Sequence, residues 1–594
     1  MSPWSQGRLM PVAGLSFASI LAAAPAEAQS ITTTVEVSSD RSFVPLQSYV
    51  VGEVDGYLLF FGGLADFGLH SFGQSAFPAN RFSTQVHLVD RATGDVTTAS
   101  ITHLSLAKRR ALMVTAASAV QFGDTLYIYG GYGPPVGLAD FHTRGTVTAI
   151  DLAAVKQAIL GSVAIPGSAI VVTASADAKV AGAGIVTMGD RFALICGANA
   201  DGEYINAPDP EYSNRVLIFD RTVSMTTPVE ILDDGLEFDS PMHRRDVNVL
   251  PVTLPDGGGT RPGFIVVCGV FESGIFPWEN PLIWGEGDAL PFMDTTFVQH
   301  IGAYEGPIVC LYSESRDINH ALVYSGISGY NYDSKTGQFT WNPSTPWTVE
   351  VGHMTIGSGI FLDEFVIGEM PWPVSNAHLV LEDTLPVNAL GQVLIDQLPV
   401  ETPVLLGRIY GGIAADFPDD FPPTSGSSAV LDVTITVERE PGQAATLTDY
   451  LLDFGSYLSG GVTELLNSDN TYLRLRSRFG FTAQEPNLMR CTFGFTSPMA
   501  TPTSLDCSIE ARLNQTGGAA RLRLRNWSTG LFEQIHQFAL STVDAVEAVY
   551  DVPGANRVRT SDQRIEMQLS ASTLSTFSIV GFDASIDHVA ASVR

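Results

Sequence analysis

The chain has 594 residues, which is too many for a single hydrophobic core and predicts at least two domains. Its 45% hydrophobic content excludes a disordered chain, and 56 glycines with 34 prolines favour short strands and turns over long helices. The 63 acidic against 32 basic residues give a net charge of −31, which argues against nucleic acid as a partner because phosphate binding needs clustered Lys and Arg.

The N-terminal residues 1–28 predict a cleaved secretory signal peptide. Arg8 supplies a positive charge, residues 9–25 form an apolar stretch, and Ala26-Glu-Ala28 fits the small-x-small cleavage pattern. A membrane anchor is the alternative, but the stretch is short for a spanning helix and contains two prolines. We therefore expect a mature protein without a membrane-spanning segment, secreted or held at the cell surface, with the periplasm as the alternative compartment.

An apolar run that ends in glycine recurs along the next part of the chain. The six runs are 57–63, 126–131, 192–197, 264–269, 321–326 and 405–412. A short apolar run of this kind is typical of a strand buried on both faces, and a terminal glycine lets the backbone turn where a side chain does not fit. Repetition of one such unit indicates a repeat architecture.

A loop rich in Pro, Asn and aromatic residues follows the glycine run, and then a second strand that ends in aspartate. Examples of the second strand are 86–90, 147–151 and 216–220, with turn residues at 90–94 and 333–337. This order resembles the kelch repeat of the galactose oxidase and kelch-like propeller superfamily, in which each repeat forms one four-stranded blade. The resemblance covers residues 35–440 and implies an all-β propeller of six blades, while the long gap after Gly326 leaves a seventh blade around 353–360 open.

Residues 443–594 predict a second all-β domain, an antiparallel β-sandwich with a jelly-roll-like arrangement. Residues 472–478 and 520–525 alternate apolar side chains with arginines, so each strand has one polar face. Further candidate strands are 491–495, 532–540 and 577–580. The domain resembles the accessory sandwich modules of secreted bacterial proteins. Its arginine rows are interpreted as a solvated face, with binding of an acidic glycan as the alternative.

The five cysteines indicate packing and at most one disulfide. Cys196, Cys268 and Cys310 lie in apolar strand sequences and are expected to pack in the core. Cys491 and Cys507 lie in predicted neighbouring strands of the second domain, so in an oxidising compartment they are candidates for a disulfide. No Cys and His spacing is typical of a zinc site, and the sequence selects no cofactor, since calcium and copper are both compatible with it.

Candidate binding residues come from the long propeller loops and from two polar segments, because such loops converge on one face of a propeller. They are His70, Phe72, His243, Arg244, Arg245, Asp246, Trp278, Tyr304 and His320, with Glu305 beside Tyr304. A planar guanidinium suits carboxylates and sugar hydroxyls, and an aspartate can orient it. The chain also resembles a group of secreted bacterial kelch proteins that carry a Gly-Leu-His segment, here ending at His70, and a His-Arg-Arg-Asp segment. That resemblance implies no activity, and a buried ion-pair network is the alternative role.

None of the local motifs that select an enzyme class occurs in the sequence: no Gly-x-Ser-x-Gly elbow, His-Glu-x-x-His, P-loop or sialidase box. We therefore assign no catalytic residue and predict a binding protein for a glycan or a protein ligand. One alternative is a carbohydrate-active or copper-dependent oxidase of the galactose-oxidase type, which would be favoured if His70, His243 and His320 converged with a tyrosine. Another is a structural assembly protein with an open edge or apolar patch on its sandwich. The oligomeric state stays open.

Overall fold

The structure is a computed structural model that describes residues 30–71, 76–138, 140–204, 210–272, 276–302, 304–439, 442–467, 470–482, 485–515, 518–573 and 581–594. Its sheets are almost entirely antiparallel, which confirms the predicted all-β class. The chain divides into two compact units, residues 1–439 and 440–594. The predicted signal peptide, Phe72 and the candidate strand 577–580 lie outside the described residues.

The described helices are short. Two α-helices span Leu106–Leu112 and Leu152–Leu160, and the second begins where the Asp151 carboxylate accepts a hydrogen bond from the Ala154 N–H at 2.9 Å. Single 3-10 turns occur at Ala79–Arg81, Gly167–Ala169, Ile395–Gln397 and Thr463–Leu465. None of the helices in the described ranges is long and apolar enough to cross a membrane.

Six sheets follow one another along the first unit, and we number them in chain order. The first comprises Leu46–Val54, Tyr57–Ala65, Gln85–Asp90 and Val96–Ser100; the second Ser118–Phe122, Thr125–Tyr129, Thr146–Asp151 and Ile170–Ala174; the third Gly184–Met188, Arg191–Ile195, Arg215–Asp220 and Glu230–Asp233. The fourth comprises Asn248–Asp256, Gly259–Val267, Leu282–Gly285 and Phe292–Met293; the fifth Ile308–Ser313, Ile318–Ile327, Trp347–Gly357, Ile360–Glu369 and Val393–Leu394; the sixth Leu379–Leu381, Val404–Tyr410, Ala429–Val437 and Ile31–Ser42.

Small sheets extend some of the loops between these strands. They are Tyr132–Gly133 with His142–Thr143, Ala198–Asn199 with Glu211–Tyr212, Tyr330–Asp333 with Gln338–Trp341, and Val374–Ser375 with Ile413–Ala415 and Thr424–Gly426.

The predicted glycine runs lie in or directly after the second strand of each sheet, and the aspartate runs form the third strands of the first three sheets. The region 353–360, where a seventh repeat was left open, belongs instead to the fifth sheet, in which Trp347–Gly357 pairs with Ile360–Glu369. That sheet is larger than the others because its strands are ten and eleven residues long. The wide glycine spacing therefore reflects long strands and loops rather than an extra sheet.

The sixth sheet joins the two ends of the first unit. Its last strand, Ile31–Ser42, comes from the start of the described chain and pairs antiparallel with Ala429–Val437, with Val35 opposite Val433. The remaining strands of this sheet all come from residues 379–437. The N-terminal strand thus completes a sheet whose other strands lie about 350 residues later.

Backbone hydrogen bonds from the terminal glycines link several of the sheets to the next. Gly63 N–H donates to Val114 O at 2.7 Å, Gly131 to Val180 O at 2.8 Å, Gly197 to Arg244 O at 2.8 Å, and Gly412 to Leu46 O at 2.8 Å. The first three acceptors lie ahead of the second, third and fourth sheets, and Leu46 begins the first sheet. The sixth sheet is therefore bonded back to the first.

Apolar side chains fill the spaces between consecutive sheets. Separate buried clusters lie between the first and second, second and third, third and fourth, fourth and fifth, and fifth and sixth sheets. Another joins the sixth sheet to the first, where the Phe60 and Tyr410 ring centroids are 5.5 Å apart. Because each sheet buries both faces, its central strands can be apolar throughout, which explains the sequence pattern.

The second unit consists of two sheets with one apolar core. One sheet contains Gln443–Ala444, Ser456–Ser459, Leu473–Arg476, Asp583–Val593, Ser504–Leu513 and Ala545–Pro553, and the other contains Thr446–Phe454, Arg478–Thr482, Glu485–Thr496, Arg564–Thr573, Gly518–Asn526 and Leu531–Leu540. The alternation predicted for 520–525 is present, since Leu522 and Leu524 are fully buried while the intervening arginines are half-buried.

The terminal glycines can be tested with a matched pair in the second sheet. A Cβ added at Gly130 (φ +63°) would lie 2.0 Å from Val180 O, whereas one at Gly123 (φ +55°) would meet no atom within 4 Å. Gly123→Ala is expected to cost about 1–2 kcal/mol through its left-handed backbone alone, and Gly130→Ala clearly more because the next sheet must move. Thermal melts of both variants check this, and equal melting temperatures would contradict it.

Candidate functional site

A pocket in the first unit is lined by residues from all six sheets and their loops. The space among its lining residues is about 820 Å³, which includes open solvent at its mouth. Its polar and ring-bearing lining residues are Gln47, Ser48, His70, Phe77, Thr115, Tyr132, Thr143, Tyr204, Arg245, Asp246, Tyr304, Glu305 and Asn376. The pocket brings together residues as far apart in the chain as Gln47 and Ile413.

One lining residue from each sheet lies in, or two to three positions before, the first strand of that sheet. These residues are Ser48, Ala116, Gly182, Asp246, Glu305 and Asn376, and all except Glu305 have φ between 50° and 64°. Backbone N–H groups donate from Gly182 to Ala116 O at 2.9 Å, from Asp246 to Gly182 O at 2.7 Å, from Asn376 to Glu305 O at 3.0 Å and from Ser48 to Asn376 O at 2.9 Å. These bonds fix the backbone from which the pocket side chains project.

Arg245 provides a buried cation in the pocket wall. Its residue is 6% exposed, and its guanidinium lies 5.2 Å from the ring centroid of Tyr204, 5.6 Å from that of Tyr212 and 5.0 Å from that of Phe271. One Nη donates to the Tyr204 hydroxyl, and Nε lies 3.7 Å from Asp246 Oδ2. Burial lowers the pKa of Arg245, but Tyr204 and Asp246 outweigh it and raise that pKa above its usual value.

Two carboxyl groups face the same pocket. Burial raises the pKa of Asp246, and the neighbouring Arg245 partly offsets this effect. Burial, together with the smaller effect of the negative charge of Asp246, raises the pKa of Glu305 to about 8. The pocket therefore contains one carboxyl group that keeps its proton at neutral pH and one that lies beside a guanidinium.

Aromatic rings form a contiguous part of the wall. The His70 ring centroid lies 4.4 Å from that of Phe77 and 5.2 Å from that of Tyr204, and Phe77 lies 5.4 Å from Tyr132. Burial lowers the pKa of His70 to about 4, so the imidazole is neutral at physiological pH. Its Nδ1 lies 3.2 Å from the carbonyl oxygen of Ser71, which assigns the proton to that nitrogen.

The His243–Asp246 segment divides between structure and pocket. Arg244 is fully buried and donates to three backbone carbonyls, those of Pro241, Cys268 and Asn280, at 2.7–3.0 Å. Its guanidinium lies 4.4 Å from the ring of Trp278, whose indole N–H donates to His243 O at 2.9 Å. Arg244 and Trp278 therefore hold loops together and do not line the pocket.

Two predicted histidines lie elsewhere. The His243 ring stacks on Tyr212 with centroids 3.8 Å apart, and its Nδ1 lies 3.0 Å from Asn214 Oδ1. His320 is fully buried in the fifth sheet, where its Nδ1 lies 2.9 Å from His353 Nε2. Since only His70 of the three lines the pocket, the histidine convergence that the copper-oxidase alternative requires does not occur.

Of the predicted site residues, the pocket brings together His70, Arg245, Asp246 and Tyr304, with Glu305 beside them. Sequence reasoning missed the ring-bearing residues Phe77, Tyr132 and Tyr204 and the amides Gln47 and Asn376. Tyr132 and Tyr204 follow the second and third glycine runs within a few residues, so their position in the repeat was an available signal. The amides carry no comparable sequence signal.

The structure provides no metal centre by residue clustering and corrects the predicted disulfide. Within the described ranges, no group of three or more His, Cys, Asp or Glu side chains could hold a metal ion. Cys491 and Cys507 are both free, buried thiols. They lie on strands of different sheets, and each packs in the apolar core of the second unit. These cysteines act as small apolar side chains.

Arginines of both predicted rows in the second unit bond to acidic or polar side chains. Arg476 Nε donates to Asp583 at 2.7 Å, and Arg525 donates to Glu566 at 2.8 Å. Arg523 donates to the Ser570 hydroxyl at 2.6 Å. This pairing favours the interpretation of the rows as a solvated, salt-bridged face.

No protein-family model and no curated protein match the chain. Among solved structures, it is similar to YjhT at 11% identity over 66% of this chain and 98% of that one, with a TM-score of 0.37. It is similar to the Trypanosoma rangeli sialidase in complex with sialic acid at 9% identity over 96% and 97%, with a TM-score of 0.30. The N-terminal cellulose-binding domain of Cellulomonas fimi β-1,4-glucanase C is 15% identical over 25% of this chain and 89% of that one, with a TM-score of 0.18. These low values assign no activity to the chain.

The buried His320–His353 pair predicts loss of stability in acid. Burial holds the pKa of His353 at about 4 and that of His320 well below its usual value. The unfolded chain binds protons near pH 6.5 and the folded one does not, so stability should fall as the pH drops from 6.5 through 4. His353→Gln removes one of the two buried imidazoles, so the melting temperature should decrease less between pH 7 and pH 4.5 than it does in the wild type.

The variant His103→Gln, at an exposed histidine of the same unit, serves as the control and should leave that decrease unchanged. An identical pH dependence for His353→Gln and the wild type would contradict the assignment to the buried pair.

Proposed function

We propose that the chain is a secreted protein that binds a carbohydrate in the pocket shared by the six sheets. The observation that carries this proposal is the pocket lining, which combines contiguous aromatic rings with carboxyl, amide and hydroxyl groups. Pyranose rings have apolar faces that stack on aromatic side chains and hydroxyls that bond to polar groups, so both halves of this lining suit a sugar. The alternative of a protein ligand fits less well, since these groups line a concave pocket rather than an extended surface.

The proposal includes a six-bladed propeller of the kelch type for the first unit. Support comes from the hydrogen bonds that the terminal glycines donate. These bonds link each of the first three sheets to the next one in order, and the sixth sheet to the first. The apolar clusters between all consecutive sheets, including the sixth and the first, fit the same arrangement. In a propeller, residues ahead of the innermost strands surround the central axis, which accounts for a pocket lined by every sheet.

The second unit fits the proposal as an accessory β-sandwich. The structural-assembly alternative finds some support here, because the strand Ala545–Pro553 ends its sheet and Val543, Val546 and Tyr550 beside or on it are 55–70% exposed. The pocket has no role in that alternative. We therefore propose carbohydrate binding as the function and treat the exposed strand as a separate property of the sandwich.

A carbohydrate-active enzyme is the second candidate function, favoured by the carboxyl pair alone. Glu305 keeps a proton that it can donate, and Asp246 is a carboxyl group beside it that can accept one. Glycoside hydrolysis commonly uses two carboxyl groups in one site. The candidate is tested by incubating the protein with a glycoside library and measuring released reducing sugar; if it is correct, Glu305→Gln should reduce turnover by about 100-fold or more.

Binding is tested by calorimetry or a glycan array with a ring-removal variant. Phe77→Ala deletes a ring that contacts both His70 and Tyr132, and the loss of stacking should cost about 1 kcal/mol, or about a fivefold weaker Kd. Phe292→Ala, which truncates an exposed ring on an outer strand of the fourth sheet, is the matched control and should bind as the wild type does. Equal affinities of the two variants, or no binding of any glycan by the wild type, would overturn the proposal.

A further inference from the structure

We propose that the pocket selects an amino sugar and holds its ammonium group between Glu305, Asp246 and the aromatic wall. This inference rests on the proposed carbohydrate-binding function and names the chemical class of the ligand. It follows from the charges that face the pocket, from the partners each charge already has, and from the rings around them.

The positive charge in the pocket wall is already engaged. Arg245 donates to the Tyr204 hydroxyl, lies against three aromatic rings and has Asp246 3.7 Å from its Nε. His70 is neutral, because burial lowers its pKa to about 4. The described residues that line the pocket thus include two carboxyl groups and one guanidinium. That guanidinium already has an acidic neighbour.

Glu305 is the carboxyl group without a partner. In the described part of the chain its backbone carbonyl accepts from Asn376 N–H at 3.0 Å and from the Ser375 hydroxyl at 2.8 Å, whereas its carboxyl group makes no hydrogen bond or ion pair. The side chain lines both the pocket and a second cavity, which contains His378. A sequestered carboxylate without a cation is unfavourable, which favours the protonated form of this group.

A ligand with an ammonium group can replace this proton as the positive charge beside the Glu305 carboxylate. It would pair with Glu305 and with Asp246, and the faces of Tyr204, Tyr304 or Phe77 would attract its charge. A neutral sugar gains stacking but leaves Glu305 unpaired, and a carboxylated sugar meets Asp246 as a like charge. The net charge of −31 also raises the local concentration of cationic ligands.

Charged and titratable groups lie around Glu305 on several neighbouring elements. They are Arg245 and Asp246 from the fourth sheet, Tyr304 from its own segment, Tyr204 from the third sheet, His70 and Tyr49 from the first and His378 from the sixth. Burial raises the pKa of each tyrosine and lowers that of each histidine, so all are neutral near pH 7. Binding an ammonium group should therefore release the Glu305 proton to solvent.

The test is isothermal titration calorimetry with three probes of one size: methyl glucosaminide, methyl glucoside and methyl glucuronide. Titrations at about pH 6.5, in two buffers of different ionisation enthalpy, measure affinity and proton exchange together. We expect the glucosaminide to bind at least about tenfold more tightly than the glucoside, with about one proton released per ligand bound. Glu305→Gln keeps the size of the side chain and should abolish both the proton release and the preference while retaining glucoside binding.

Glu36→Gln makes the same charge change on the exposed face of the strand Ile31–Ser42 and is the matched control. Equal binding of glucosaminide and glucoside, tighter binding of glucuronide, or no proton release by the wild type would overturn the inference and leave carbohydrate binding intact. Failure of every sugar to bind the wild type would overturn the proposed function as well. The wild-type proton count decides the inference even if Glu305→Gln does not fold.

Discussion

The first unit depends on a hydrogen bond from a glycine N–H at the end of one sheet to a backbone carbonyl ahead of the next. In the second sheet this bond joins Gly131 to Val180 O at 2.8 Å, and in the sixth it joins Gly412 to Leu46 O at the same distance. The bond brings two backbones closer than side chains allow, because a Cβ at Gly411 would lie 2.5 Å from Leu46 O. This close approach sets the spacing of the sheets and, through the segments ahead of their first strands, the shape of the pocket.

The same constraint explains how much of the fold could be predicted. Each terminal pair has two consecutive left-handed residues, which favour glycine, so the pattern recurs in the sequence. Where the first glycine is replaced, a small residue adopts the same conformation, as in Cys196 with φ 60°, Cys268 with φ 59° and Ser325 with φ 62°. The two cysteines were correctly expected in the core, but their backbone role was not recognised, since a cysteine before glycine carries no obvious conformational signal.

The site was harder to predict because a residue lines the pocket according to the direction in which its side chain points, which its residue type does not reveal. Arg244 and Arg245 are adjacent and equally buried, yet one ties three backbone carbonyls together and the other lines the pocket. Sequence alone assigns both the same chemistry. His320 was predicted as a site residue but lies inside a sheet, whereas Phe77, which was not among the predicted residues, contributes a ring to the wall.

Glu305 shows how the fold and the candidate function are connected. The Asn376 N–H donates to the backbone carbonyl of Glu305 and holds its segment in place beside the pocket. A carboxyl group that faces the pocket without a partner has a cost that packing alone does not recover, since an apolar residue at this position would avoid it. A carboxyl group there is therefore best explained by a ligand that supplies the missing charge, and the net charge of −31 makes a cation the ligand that the protein attracts most readily.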